Sequence, residues 1–217
     1  MDEDPAVTRA ATLAALGQRR KLTKAGVTQL TTAATSDEDP RVRAVALAAL
    51  VRGGSAKDEV VDVWTRATSD SSPKVRRRAA DLTPGLAART GGTALVPALV
   101  GLLGDDEVIV VEAAAWALGE LGKPLVDADA VSALARTATD HADALAREAA
   151  VAALGALGDV AGLEAILAAC RDKPAVRRRA VLALAPFEGP EVDAALATAL
   201  EDKDWQVRQA AEDLSTP

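Results

Sequence analysis

Between Asp37 and Leu50 the chain reads Asp-Glu-Asp-Pro-Arg-Val-Arg-Ala-Val-Ala-Leu-Ala-Ala-Leu, with Val42, Ala46 and Leu50 at every fourth position. That spacing puts one apolar stripe on one face of a helix. Asp39 is a suitable N-cap, and Pro40 fits the first helical position, where its missing N–H costs nothing. An alanine at the second stripe position lets a neighbouring helix come close. Arg43 borders the stripe, about 100° round the helix from Val42.

The same pattern recurs along the whole chain. Taking Val42 as anchor, the equivalent positions are Val7, Val75, Val110, Ala146, Val176 and Val207, separated by 35, 33, 35, 36, 30 and 31 residues. Four residues on, each copy has an alanine: Ala11, Ala46, Ala79, Ala114, Ala150, Ala180 and Ala211. The next residue after the anchor is arginine in Arg43, Arg76, Arg147, Arg177 and Arg208, whereas Thr8 and Val111 depart. Five residues before the anchor stand Asp2, Asp37, Asp70, Asp105 and Asp202, with His141 and Arg171 as exceptions. A period of this size marks a repeat array whose units bury their faces against their neighbours. The arginines are expected to reach the aspartates at repeat junctions in a ladder of charge-assisted hydrogen bonds.

Read in order, the first copy spans 4–17 and is slipped by one residue, because Leu16 lies nine residues beyond Val7. The basic turn Gln18-Arg-Arg-Lys21 leads to a helix over about 23–34, and Gly53-Gly54-Ser55 ends the second copy. Partner helices are expected over about 56–68, 93–103, 127–138, 160–170 and 190–200. Anchor helices are expected near 106–121, 143–157 and 174–186, with a last helix from Asp204. Pro84-Gly85 is expected to kink the third anchor helix or end it early, and Pro97 to bend its helix or delay its start. Neither end of the array shows a polar outer face in this pattern. The expectation is about twelve to thirteen helices in antiparallel pairs, no strand, and one continuous array over 1–217 with a right-handed curve.

The Asp-x-Asp-Pro-x-Val-Arg motif with its following Ala-x-x-x-Leu, and the run Ala-Ala-Ala-Trp-Ala-Leu-Gly-Glu-Leu-Gly at 113–122, resemble HEAT repeats. The likeness is to the short HEAT-like repeats named after phycobilisome lyases. It implies an all-α α-α superhelix, a HEAT-like solenoid of about six helical hairpins plus a terminal helix, whose second helices line a concave side. It says almost nothing about activity.

Composition narrows the chemistry. The apolar share is 49% with only 2% aromatic, so alanine, leucine and valine build the core. One histidine and one cysteine leave no ligand set for zinc or iron–sulfur, no internal disulfide and no paired His-Glu motifs of a HEAT-like di-iron hydroxylase. His141 reads as a loop residue near a helix start, and Cys170 as a buried thiol. Glycines fall at helix ends and form no phosphate-cradling loop. No cofactor, no metal and no catalysis are expected. The acidic start lacks an apolar signal region and no apolar run could cross a membrane, so a cytoplasmic protein without membrane contact is expected. Net charge is −7 and uneven: residues 41–99 carry ten Lys/Arg against five Asp/Glu, and 100–170 three against twelve.

Residues one before and two, three and six after each anchor face outward. They are Lys74, Arg77, Arg78 and Asp81, then Ile109, Glu112, Ala113 and Trp116, then Leu145, Glu148, Ala149 and Ala152, then Ala175, Arg178, Arg179 and Leu182. Trp116 with Ile109 and Leu145, rimmed by charge, has the makeup of a protein-binding surface. Arg77, Arg78, Arg178 and Arg179 would hold acidic groups of a partner, and Glu112 and Glu148 basic ones. Trp64 is expected in the core, and Trp205 over a repeat junction. The favoured function is a non-enzymatic scaffold or adaptor that binds another protein or peptide segment along the concave face. The alternatives are nucleic-acid binding, as in HEAT-like DNA glycosylases, and a chromophore lyase subunit. Nucleic acid is disfavoured, because Trp116 sits in the acidic third of the chain and the arginine pairs lie three repeats apart. The sequence leaves the oligomeric state open.

Overall fold

A computed structural model describes residues 4–19, 22–53 and 57–215. Asp2, Arg20 and Lys21 of the basic turn, Gly54 and Ser55 of the glycine break, and Pro217 lie outside that set. The described residues form an all-α superhelix of thirteen α-helices and two short 3-10 helices, with no strand among them. By contacts the chain divides into two compact units, Met1–Leu102 and Leu103–Pro217.

In the first unit, α1 (Pro5–Gly17), α3 (Pro40–Gly53) and α5 (Pro73–Thr90) pack side by side as the anchor layer. The partner helices α2 (Lys24–Ser36) and α4 (Lys57–Ala67) lie against them and against each other. A 3-10 helix over Thr93–Leu95 then leads into α6 (Val96–Leu102), so Pro97 delays the helix as expected. In the second unit, α7 (Val108–Leu121), α9 (Ala144–Leu157), α11 (Pro174–Ala183) and α13 (Trp205–Ser215) form the anchor layer. The partner layer is α8 (Ala128–Asp140), α10 (Leu163–Ala169) and α12 (Pro190–Leu200).

The anchors Val42, Val75, Val110, Ala146, Val176 and Val207 are buried, and so are the alanines one turn later, from Ala46 to Ala211. Asp4, Asp143 and Asp159 cap their helices by accepting the N–H two residues ahead, while Thr23 and Asp127 accept from three ahead. Three sequence expectations change here. Val7 is 54% exposed, and Arg9 rather than Thr8 makes the ladder contact, so the one-residue slip lies at the start of the first copy. Pro84 does not end α5, which continues to Thr90. Its buried face of Ala79, Ala80, Thr83, Leu86 and Ala87 outweighs a proline penalty of about 3 kcal/mol, and Arg89 ties the far end to the Val51 carbonyl. Glycines are not confined to helix ends either, since Gly85 lies midway along α5, whereas Gly119 and Gly155 fall in the last turns of α7 and α9.

Gly119 and Gly155 share a role with Gly17. A Cβ on Gly17 would meet the Ala49 Cβ at 2.5 Å, one on Gly155 the Ala183 Cβ at 2.6 Å, and one on Gly119 the Ala153 Cα at 3.2 Å. Three neighbouring pairs of anchor helices, α1–α3, α7–α9 and α9–α11, therefore meet at a glycine–alanine contact. Each glycine stands nine residues past its anchor, once Thr8 is taken as the first.

Candidate functional site

The ladder fixes the anchor helices before any outward face is considered. Arg43 Nε and Nη2 donate to the Asp70 carboxylate at 2.8 and 2.7 Å, and Arg177 donates the same pair to Asp202 at 2.8 and 2.7 Å. Arg9 binds Asp37 in the same bidentate way, at 3.0 Å for both bonds. Arg147 finds no aspartate at the expected position, because Arg171 stands there; Asp172 takes over, at 2.6 and 2.8 Å. Nη1 of each of Arg43, Arg76, Arg147, Arg177 and Arg208 also holds a carbonyl in the turn before its own helix. The arginines are thus committed to repeat junctions, as the sequence pattern implied.

The carboxylates respond accordingly. The Arg9, Arg147 and Arg177 bonds hold Asp37, Asp172 and Asp202 below the ordinary carboxylate value. For Asp70, burial pushes upward, but the Arg43 bond and the Ser72 N–H together outweigh it and leave the carboxyl lowered. His141 replaces the aspartate of the turn before α9, where its Nδ1 accepts the Asp143 N–H at 3.0 Å. Burial pushes the Cys170 thiol up to about 11.

With the ladder arginines engaged, the remaining open features are on the outward side of the anchor helices. In the second unit α7 packs beside α9, and α9 beside α11, which brings Ile109, Glu112, Trp116, Leu145, Glu148, Arg178 and Arg179 onto one ridge. Trp116 is 46% exposed and Leu145 58%, with Ile109 and Leu182 also open. Two apolar rows result: Ile109 and Leu145 near the helix starts, and Trp116 with Leu182 two turns further on. Trp116 stands on a rigid base, since Ala113, Ala114, Ala115, Ala117 and Leu118 around it on α7 are all buried. Ala113 therefore does not face outward.

The charged row between differs from the sequence expectation. Glu148 does not await a basic partner group: its side chain is 17% exposed, with Arg179 Nε at 3.5 Å and Arg178 Nη2 at 3.9 Å from its Oε1. These are ion contacts rather than aligned hydrogen bonds, and the two Nε atoms, both buried, make no hydrogen bond. The spacing placed these residues outward correctly, but only packing could show that the Glu148 carboxylate of α9 is taken up by the two arginines of α11, a group of net charge +1. Glu112 and Glu120 are exposed and carry no hydrogen bond or ion pair among the described residues. Arg77 and Arg78 sit on α5 of the first unit, where Arg77 Nε is 3.9 Å from Asp81 one turn along.

The other two tryptophans separate cleanly. Trp64 is buried and donates its indole N–H to the Ala79 carbonyl at 2.8 Å, as a core residue should. Trp205 does not cover a junction; it is the first residue of α13 and 64% exposed. On α13 the residues Gln206, Gln209, Glu212 and Asp213 are exposed, so its open face is polar. Among the described residues no three His, Cys, Asp or Glu side chains converge to hold a metal, and no helix is long and apolar enough to cross a membrane.

The family description "HEAT repeats" matches residues 61–155 and 131–214. It concerns HEAT repeats as such and does not bear on the phycobilisome-lyase type. No curated protein matches the sequence. Among solved structures, the chain is similar to the YibA protein of E. coli, with 21% identity and a TM-score of 0.70 over 100% of this chain and 78% of that one. It is also similar to an engineered protein, at 22% identity and TM-score 0.58 over 94% of both chains. A designed armadillo repeat protein superposes with TM-score 0.56 at 16% identity, over 94% of this chain and 97% of that one. At these identities the likeness shows the fold alone.

Proposed function

Because the chain belongs to the HEAT-repeat family, we propose that it is a non-enzymatic scaffold that docks a protein segment on the ridge of α7, α9 and α11. The observation that carries this is Trp116, exposed in one ridge with Ile109, Leu145 and Leu182 on helices whose other faces are buried. A large aromatic on a rigid, pre-ordered base supplies contact area while little of the host must be ordered on binding. Neither Cys170, whose thiol burial pushes up to about 11, nor His141, whose Nδ1 accepts the Asp143 N–H, is activated as a nucleophile or base by these contacts.

The test is selection of linear peptides from a random display library against the whole chain, followed by affinity measurement on Trp116→Ala. Removing a central aromatic typically costs 2 kcal/mol or more, so selected peptides should bind about thirtyfold more weakly. Peptides that bind equally well to Trp116→Ala, with its circular dichroism unchanged, would place the docking surface elsewhere. A mobility shift with duplex DNA that survives about 0.15 M salt would favour the nucleic-acid alternative instead.

A further inference from the structure

We infer, resting on the docking reading, that the segment taken by the ridge is basic: an apolar side chain packed on Trp116, with a lysine or arginine on either side of it. Glu112 lies one turn before Trp116 and Glu120 one turn after, each about 6 Å away along the α7 axis. Both are exposed, and neither is paired within the described chain. The indole is therefore bracketed by two uncompensated carboxylates.

The contrast with the neighbouring row makes this selective. Glu148, the carboxylate equivalent to Glu112 on α9, is already held by Arg178 and Arg179. The open negative charge of the ridge is thus concentrated on α7, beside its one large aromatic. The surroundings reinforce the sign: residues 103–217 carry ten Lys/Arg against twenty-one Asp/Glu. An acidic segment would meet Glu112 and Glu120 as like charges next to a surface it must desolvate, whereas a basic one gains both carboxylates and the indole face. Steering by this field speeds encounter and falls with salt.

The probes are two fluorescein-labelled amphipathic peptides with leucines on one helical face, one carrying lysines on either side of the leucines and the other glutamates. Binding to the whole chain is followed by fluorescence anisotropy. The lysine peptide should bind, Trp116→Ala should weaken it about thirtyfold, and the double change Glu112→Gln/Glu120→Gln about tenfold with a flatter salt dependence. Glu191→Gln/Asp193→Asn, which removes the same charge from the exposed start of α12, should leave affinity unchanged. All these positions are exposed, and circular dichroism verifies the fold of each variant.

Equal weakening by the α12 pair would reduce the effect to net charge and overturn the inference. A glutamate peptide that binds and is lost on Trp116→Ala would overturn the basic partner while leaving the docking ridge standing. If neither peptide's binding changes on Trp116→Ala, both readings fall.

Discussion

Arg147→Ala is the perturbation whose consequence follows most directly from the packing. The guanidinium makes two bonds to Asp172, at 2.6 and 2.8 Å, and donates to the carbonyls of His141 and Ala142 at 2.7 and 3.0 Å. It therefore fastens the turn before α9 and the turn before α11 at once. Side-chain exposures of 12% and 20% for arginine and aspartate put the pair between a surface ion pair, worth little, and a fully buried one. After truncation Asp172 keeps the Lys173 N–H, but the two carbonyls must find water. A hydrogen bond to a charged group contributes about 1.5–3 kcal/mol. Several are lost together and partly replaced by solvent, so the net destabilisation is roughly 2–3 kcal/mol. Urea unfolding of wild type, Arg147→Ala, Asp172→Asn and the double variant measures the coupling directly. Arg41→Ala, which breaks a far more exposed pair with Asp39 and Asp4, serves as the comparison and should have a smaller effect. Additive single effects at Arg147 and Asp172, or an Arg147→Ala midpoint equal to wild type, would refute the ladder as a structural device.

Gly155→Ala should destabilise by about 1–3 kcal/mol, because the new Cβ would lie 2.6 Å from the Ala183 Cβ and 2.7 Å from its Cα. Gly101→Ala, with nothing within 4 Å, should instead stabilise by about 0.5–1 kcal/mol; thermal unfolding of the two variants compares them. The ladder also sets an acid limit. Asp37, Asp70, Asp172 and Asp202 have lowered pKa values in the folded chain, so their contribution is present above the unfolded value of about 3.9 and is lost as pH falls through the folded values. The urea midpoint should drop between pH 5 and pH 3, and drop less in Asp172→Asn. Cys170, with its thiol pushed up to about 11, should react with iodoacetamide at pH 8 far more slowly than a free cysteine, and reach the free rate only in denaturant.

Most of the fold was legible because each repeat states it in the same residues. The anchors and their alanines are the core, and the arginine one place after the anchor, followed by an aspartate at the next junction, encodes the ladder. Where the sequence misled, packing between copies was responsible. Arg171 stands where an aspartate was expected, yet Asp172 beside it serves, because a turn can shift by one residue and still present a carboxylate. Val7 looked like an anchor because Asp4-Pro5 matches Asp39-Pro40, but the Arg9–Asp37 pair sets the true register. Pro84 signals a helix end by local rules and is overridden by a buried face. The glycine–alanine contacts had a usable signal in the constant offset of Gly17, Gly119 and Gly155. The ridge was legible as a set of outward positions, and Trp116 and Leu145 are indeed open. That Glu148 is spent on Arg178 and Arg179, leaving Glu112 and Glu120 as the free carboxylates, depends on how α9 meets α11 and could not be read from spacing.

The three tryptophans offer the most direct test of the ridge as the docking surface, since each has one indole N–H and a different environment. Trp64 is buried against Ala79, Trp116 stands on the ridge, and Trp205 is exposed at the start of α13. In a 15N-labelled sample, each indole resonance is assigned by single substitution, and the leucine–lysine peptide is then titrated in. The docking account predicts that the Trp116 resonance shifts and saturates with the binding isotherm while those of Trp64 and Trp205 stay in place. A saturated complex in which Trp116 does not move, or in which Trp205 alone does, contradicts it.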